Sequence, residues 1–310
     1  MDHTMDPMTP PKEKRPRIKE GWLRALLFCV SLLLTIFLIS LPADQVMNWL
    51  HGHQALSRIP VSSTALDQSG SLWFTILAGL VCSLLLVFLF CRWIDCRKWI
   101  DLGLNSDGHL ADGITGALLA LAILGSGALI LFFTRHLEWS DLIFTPTDLF
   151  LELGILMLVA FSEEIVFRGY ILGNLMESLP KWPALATSAL LFTLFHAANP
   201  GFSVASLVNI FLAGVLAGIN YIYTRNLWFA IAFHLSWNFI QGPLLGFSVS
   251  GLPFGSLLQP VLKGDQSITG GTFGFEGSIV CGALIFTSIL VLYGAYEKKF
   301  AAPPLSPDAA

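Results

Sequence analysis

Charge is scarce in this 310-residue chain: Asp, Glu, Lys and Arg make up 12% of it, against 55% hydrophobic residues. A soluble globular domain carries roughly 25% charged residues, so the composition excludes an ordinary water-soluble fold. The shortage is also concentrated. No charge lies between Arg24 and Asp44, between Asp67 and Arg92, between Asp112 and Arg135, or between Glu276 and Glu297. Each gap is long and apolar enough for a helix to cross a bilayer, which takes roughly 20 residues. Cysteine is sparse as well, with Cys29, Cys82, Cys91, Cys96 and Cys281 and no pair in metal-ligand spacing. That excludes a disulfide framework and leaves the thiols as small apolar packing residues. Internal repeats, a second soluble domain, an HExxH helix and a Ser-His-Asp arrangement are all missing. No small-residue cleavage site follows the first apolar run, which is therefore expected to remain as a first span.

What is present is a set of eight expected spans, at 22–42, 71–91, 113–134, 148–177, 182–198, 203–223, 227–242 and 277–296. The predicted class is all-α: a polytopic membrane protein of about eight transmembrane helices. Residues 1–21 form an expected disordered basic tail, 22–297 the transmembrane domain with its core at 148–242, and 298–310 a second tail. The net charge of −4 says little, because placement matters more than the sum. With the N-terminus inside, thirteen Lys and Arg residues face the cytoplasm and only Arg58, Arg135 and Lys263 face out. By the positive-inside rule both termini are cytoplasmic, in a multi-pass protein of the plasma membrane. The long connections are 43–70 and the glycine-rich stretch 242–276. The segment Arg92–Asp112 alternates charges with Trp93, Trp99 and Ile100, and reads as an amphipathic connector along the inner surface. The lipid bilayer is one expected partner, and nucleic acid is not.

Only 148–242 puts ionisable side chains inside apolar helices. The fourth span contains Phe161-Ser162-Glu163-Glu164-Ile165-Val166-Phe167-Arg168. Each such charge costs about 2.5–3.5 kcal/mol on insertion scales. Glu164 and Arg168 are four apart with the acid first, the favoured order for a helical pair. Glu163 sits about 100° round the helix and has no obligatory partner. A packing network alone is the alternative reading of these three groups. His3, His51, His53, His109 and His136 fall in tails or loops, and His51-Gly-His53 reads as a solvated loop. His196 and His234 lie inside apolar spans next to the one bearing Glu163.

Depth favours convergence. Glu163 is seventeen positions before the turn at Pro180, and His196 is sixteen after it. At about 1.5 Å per residue the two sit at nearly one level. His234 and Asn238 are four apart and share a face, as do Phe192 and His196, so Phe192 is expected to pack beneath His196. A desolvated carboxylate, two imidazoles and a carboxamide around one cavity suit acyl-bond hydrolysis. The glutamate is a base for water, one histidine orients that water or protonates the leaving amine, and the other joins the asparagine in binding the oxyanion. A second chemistry stays open: Glu163, His196 and His234 have the three-ligand count of a catalytic zinc.

Glu163-Glu164-x-x-x-Arg168, Phe192-x-x-x-His196 and His234-x-x-x-Asn238, in that order on successive helices, resemble the three motifs of the CPBP family. These are the CAAX-protease and bacteriocin-processing enzymes, which include the type II CAAX prenyl endopeptidases. Leu252–Ser256 and Thr269–Ser278 are similar to a tail common among bacterial members. The resemblance implies eight helices with a cavity between the motif helices. It implies Glu163 as water activator, with Glu164, His196, His234 and Asn238 around it and Arg168 as structural support. It also implies glutamate-dependent chemistry with no cofactor, zinc being the alternative, on a membrane-anchored protein or peptide substrate that is lipidated in eukaryotic relatives. Two other functions remain from the residues themselves. One is a non-catalytic immunity or scaffolding factor, and the other a transporter relaying protons through its Glu and His groups.

Overall fold

The computed structural model describes residues 15–43, 45–46 and 63–301. The expectations for His51 and His53, for most of the 43–70 connection and for residues 1–14 and 302–310 of the two tails lie outside the described residues, whereas residues 298–300, expected in the second tail, are helical. Eight long helices account for the eight expected spans. They are α1 (Gly21–Ser40), α2 (Ser63–Trp93), α3 (Leu110–Phe133), α4 (Pro146–Glu164), α5 (Lys181–Phe195), α6 (Val204–Thr224), α7 (Trp228–Phe239) and α8 (Ile279–Phe300). The chain is an all-α polytopic membrane protein with one small addition. Strands β1 (Leu137–Leu142) and β2 (Leu258–Leu262) pair antiparallel, Leu137 opposite Leu262.

The helix ends follow local chemistry. Pro146 occupies the first turn of α4, where a missing N–H costs nothing, and Asp148 faces the positive end of the helix. Ser203 caps α6 by accepting from the Ser206 N–H, and Ser278 caps α8 by accepting from the Cys281 N–H. Arg225 ends α6 in the left-handed region at φ 55°.

The burial pattern is that of a protein in lipid. On α1, Arg24, Ala25, Phe28, Cys29 and Leu32 are buried, while Leu26, Val30, Leu33 and Phe37 point outward and are exposed. In water such a surface would cost roughly 25 cal/mol per Å²; hydrocarbon removes that cost. By length and composition five helical stretches can cross a membrane: Gly21–Ser40, Phe74–Trp93, Leu110–Phe133, Val204–Thr224 and Ile279–Phe300. The motif-bearing α4, α5 and α7 are not among them. No residue of α7 is exposed, so this twelve-residue helix is the centre of the bundle. It is held close to α3 by Gly116, where a Cβ would stand 2.3 Å from the Phe229 carbonyl oxygen. Small residues let membrane helices approach this closely.

Three expectations change. The Arg92–Asp112 connector does not simply lie along a surface: Asp95 is buried and accepts from Tyr170 Oη at 2.7 Å and from Arg24. Leu102 is fully buried, and the Gly103 carbonyl accepts from the Leu227 N–H. The connector thus ties α1, α4 and α7 at one end of the bundle. The glycine-rich 242–276 stretch is compact rather than a loose connection, with Phe247, Val249, Phe273, Phe275 and Glu276 buried. His196 is not inside a helix; it is the residue that caps the C-terminus of α5.

Candidate active site

Directly after Glu164 the backbone of α4 widens into a π-helical stretch, Ile165–Leu172, followed by Gly173–Leu175. Bonding i→i+5 is rare, and such stretches are frequent at functional sites. Here neighbouring side chains take up its carbonyls. Ser188 of α5 donates to Phe167 O at 2.8 Å, Tyr221 of α6 to Gly169 O at 3.3 Å, and Asn174 to Tyr170 O at 2.9 Å. A second π-helical turn, Ile240–Leu244, closes α7 and contains Pro243, which has no N–H to give.

These distortions bring the motif side chains together. Arg168 Nη1 donates to Glu164 Oε1 at 2.8 Å, and both side chains are almost wholly buried. Arg168 also donates to the Gly214 carbonyl at 3.4 Å, and its guanidinium lies 4.3 Å above the Phe192 ring. His234 Nδ1 reaches the same Glu164 Oε1 at 2.8 Å. Glu164 is therefore shared by a cation and an imidazole. His196 Nδ1 is 2.8 Å from the Phe192 carbonyl oxygen. A carbonyl only accepts, so Nδ1 carries the proton and a neutral His196 has its lone pair on Nε2. The Phe192 ring lies tilted against His196, with centroids 4.5 Å apart, and meets His234 edge-on at 6.2 Å.

Both Nε2 atoms face one oxygen. Glu163 Oε2 is 3.8 Å from His196 Nε2 and 3.8 Å from His234 Nε2. It is buried and has no hydrogen-bond partner. These separations are too long for direct hydrogen bonds and are of the length that one water bridges. The three groups and Asn238 line a cavity of about 300 Å³. Its remaining walls are mostly apolar, from Leu32 and Ile36 of α1, Ile76 and Leu80 of α2, and Leu156 and Val159 of α4. Val249, Ser250, Leu252 and Phe254 close one side from the loop after α7. Among the described residues no three His, Cys, Asp or Glu side chains are grouped as a metal site.

The structure thus collects Glu163, Glu164, Arg168, Phe192, His196, His234 and Asn238. It also adds residues that the sequence reading passed over. Glu276, buried just before α8, accepts from Trp237 Nε1 at 2.9 Å, from the Ser250 N–H at 2.7 Å and from Ser250 Oγ at 2.9 Å. Burial pushes its carboxyl above the usual range, and the bonds from Ser250 and Trp237 oppose that shift. A signal for it existed: one acid in a run of Gly and Phe, at the edge of the charge-free gap 277–296, has no solvated surface to sit on. A second cavity behind the first is bounded by Glu164, Arg168, His196, Ser250 and Glu276.

No curated protein matches this chain. Residues 145–240 match a family model described as type II CAAX prenyl endopeptidase Rce1-like. The matched segment runs from the start of α4 to the end of α7 and carries all three motifs.

Proposed function

We propose that this protein belongs to the CAAX-protease family and is an intramembrane endopeptidase that hydrolyses peptide bonds of membrane-anchored substrates with a glutamate-activated water. One observation carries the reading: the buried, unpartnered Glu163 Oε2 faces two imidazole nitrogens at water-bridging distance, inside an otherwise apolar cavity.

The protonation pattern supplies the roles. Glu163 Oε2 and, in the neutral ring, the Nε2 lone pair of His196 are both acceptors, so together they hold the two protons of one water and aim its lone pair into the cavity. Glu163 takes a proton as the water oxygen bonds to the substrate carbonyl carbon. The carbonyl π pair moves onto oxygen. His234, whose Nδ1 is committed to Glu164, donates from Nε2 as the imidazolium. His234 and Asn238 then stabilise the oxyanion, a contribution of about 3 kcal/mol per donor. When the carbonyl re-forms the C–N bond breaks, and the proton held by Glu163 passes to the leaving amine. Arg168 neutralises Glu164 and does not touch substrate.

This chemistry runs without a metal. Zinc on Glu163, His196 and His234 would instead supply a polarised water. The surroundings support anchored substrates, lipidated or hydrophobic, because anchoring raises local concentration beside a site within the bilayer. The charge distribution supports a plasma-membrane location with both termini cytoplasmic.

The test is cleavage of a lipidated peptide library by the purified full-length protein in liposomes, comparing wild type with Glu163→Gln. Turnover in the variant should fall about a hundredfold or more, the loss expected for a general base. Equal turnover would remove Glu163 from the chemistry. A scaffold or immunity factor would show no cleavage in either protein.

A further inference from the structure

Two arms of the site come from separate helices: His196 from the end of α5, and His234 with Asn238 from α7. Glu276 reaches both. Through Oε1 it accepts the indole N–H of Trp237, the residue before Asn238. Through Oε2 it accepts both the backbone N–H and the hydroxyl of Ser250. The Ser250 carbonyl in turn accepts from Asn199 Nδ2 at 2.9 Å, and the Asn199 N–H bonds to the His196 carbonyl at 3.0 Å. One carboxylate therefore restrains the Asn238 arm through one hydrogen-bonded link and the His196 arm through a chain of three.

The backbone between these points is built to transmit position. Ser250 has φ 47°, a conformation L-residues hold only when their surroundings over-determine it, and three hydrogen bonds do so here. Gly251 follows at φ 82°, and a Cβ there would stand 2.0 Å from the Pro200 carbonyl oxygen. The loop thus presses directly on the turn that carries His196. Glu276 is itself fixed from α6, because Asn209 Nδ2 donates to the backbone carbonyls of Glu276 and Ser278, each at 2.7 Å. A carboxylate buried for packing alone is disfavoured against an apolar residue of the same size. Three donors converging on it from two different arms are what a positioning device requires.

We propose that Glu276 is a positioning residue that sets the placement of His196 and Asn238 about Glu163. Its effect on rate rests on the hydrolytic reading above; its effect on geometry does not. The experiment uses full-length protein in detergent and has two readouts. The first is carbethoxylation of each histidine by diethyl pyrocarbonate, read by mass spectrometry. In Glu276→Gln, modification of His196 should rise about threefold or more, as when a locked turn opens locally more often. His109 and His136, outside the site, should not change, which separates loosening of the turn from general unfolding. The second readout is steady-state cleavage. There kcat should fall about ten- to a hundredfold, the scale of a misplacement of order 1 Å, with KM within about twofold. Should Glu276→Gln not fold, Trp237→Phe and Asn199→Ala cut one arm each and should raise modification of His234 and His196 respectively. Unchanged histidine reactivity in the folded variants overturns the proposal. If the wild type cleaves nothing, the hydrolytic reading fails and the labelling result alone decides whether Glu276 positions the site.

Discussion

Replacing Arg168 with methionine isolates the energetics on which the site rests. The guanidinium and the Glu164 carboxylate are 2% and 1% exposed, so neither is rescued by solvent. Arg168→Met deletes the 2.8 Å bond to Glu164, the 3.4 Å bond to Gly214 O and the cation over the Phe192 ring. Removing one partner of a buried pair costs roughly 3–5 kcal/mol. His234 Nδ1 stays 2.8 Å from the same carboxylate oxygen and offsets part of that loss. The lower end of the range, about 3 kcal/mol, is therefore expected, a factor of roughly a hundred in the folded-to-unfolded ratio. Glu164→Gln should cost a comparable amount, because it strands the arginine. The double variant removes both charges, so its loss should be smaller than the sum by about 2 kcal/mol or more. The assay is reversible unfolding in mixed micelles titrated with dodecyl sulfate, followed through the nine tryptophans. A cost under about 1 kcal/mol for Arg168→Met, or strict additivity in the double variant, would refute the argument. Either result would mean that Glu164 is not a buried anion in need of a cation.

Asn238→Ala should lower kcat by roughly 10²–10³ with little change in binding, since a carboxamide donates hydrogen bonds well and binds zinc poorly. Elemental analysis should find substoichiometric metal and chelators should leave the rate intact; stoichiometric zinc whose removal abolishes activity and whose return restores it would replace the metal-free mechanism. Single cysteines engineered in 55–65 and in 301–308 should label from opposite sides of the membrane, and same-side labelling would break the eight-span topology. A water-soluble peptide should be cut much more slowly than its lipidated form, and equal rates would place the site in contact with bulk water.

The helices were legible because lipid punishes charge: the charge-free gaps fall where α1, α2, α3 and α8 lie. The level of Glu163 against His196 was legible from counting away from Pro180, since a hairpin of helices keeps depth proportional to residue number. What escaped was set by tertiary contact. Glu276 enters the site only because the chain after α7 folds back against α5 and α7, and no periodicity encodes that return. Asp95 lies in a polar segment typical of a membrane surface, yet it is buried because Arg24 and Tyr170 come from distant helices to meet it. The capping position of His196 was hidden for another reason. The apolar run continues through it, and the turn that ends α5 is stabilised by bonds from the later loop.

The π-helical stretch after Glu164 works as a change of phase within one rod. In an unbroken α-helix, positions seven apart differ by only about 20° in direction, so Tyr170 would look out beside Glu163. With i→i+5 bonding wound in, the far half turns by about another residue's angle of roughly 100°. The near half keeps Leu156, Val159 and Glu163 on the cavity, and the far half delivers Tyr170 to Asp95. A single helix thus addresses two different neighbours. Winding Ile165–Leu172 as regular α-helix at unchanged length would swing Tyr170 away from Asp95 and toward the cavity beside Glu163.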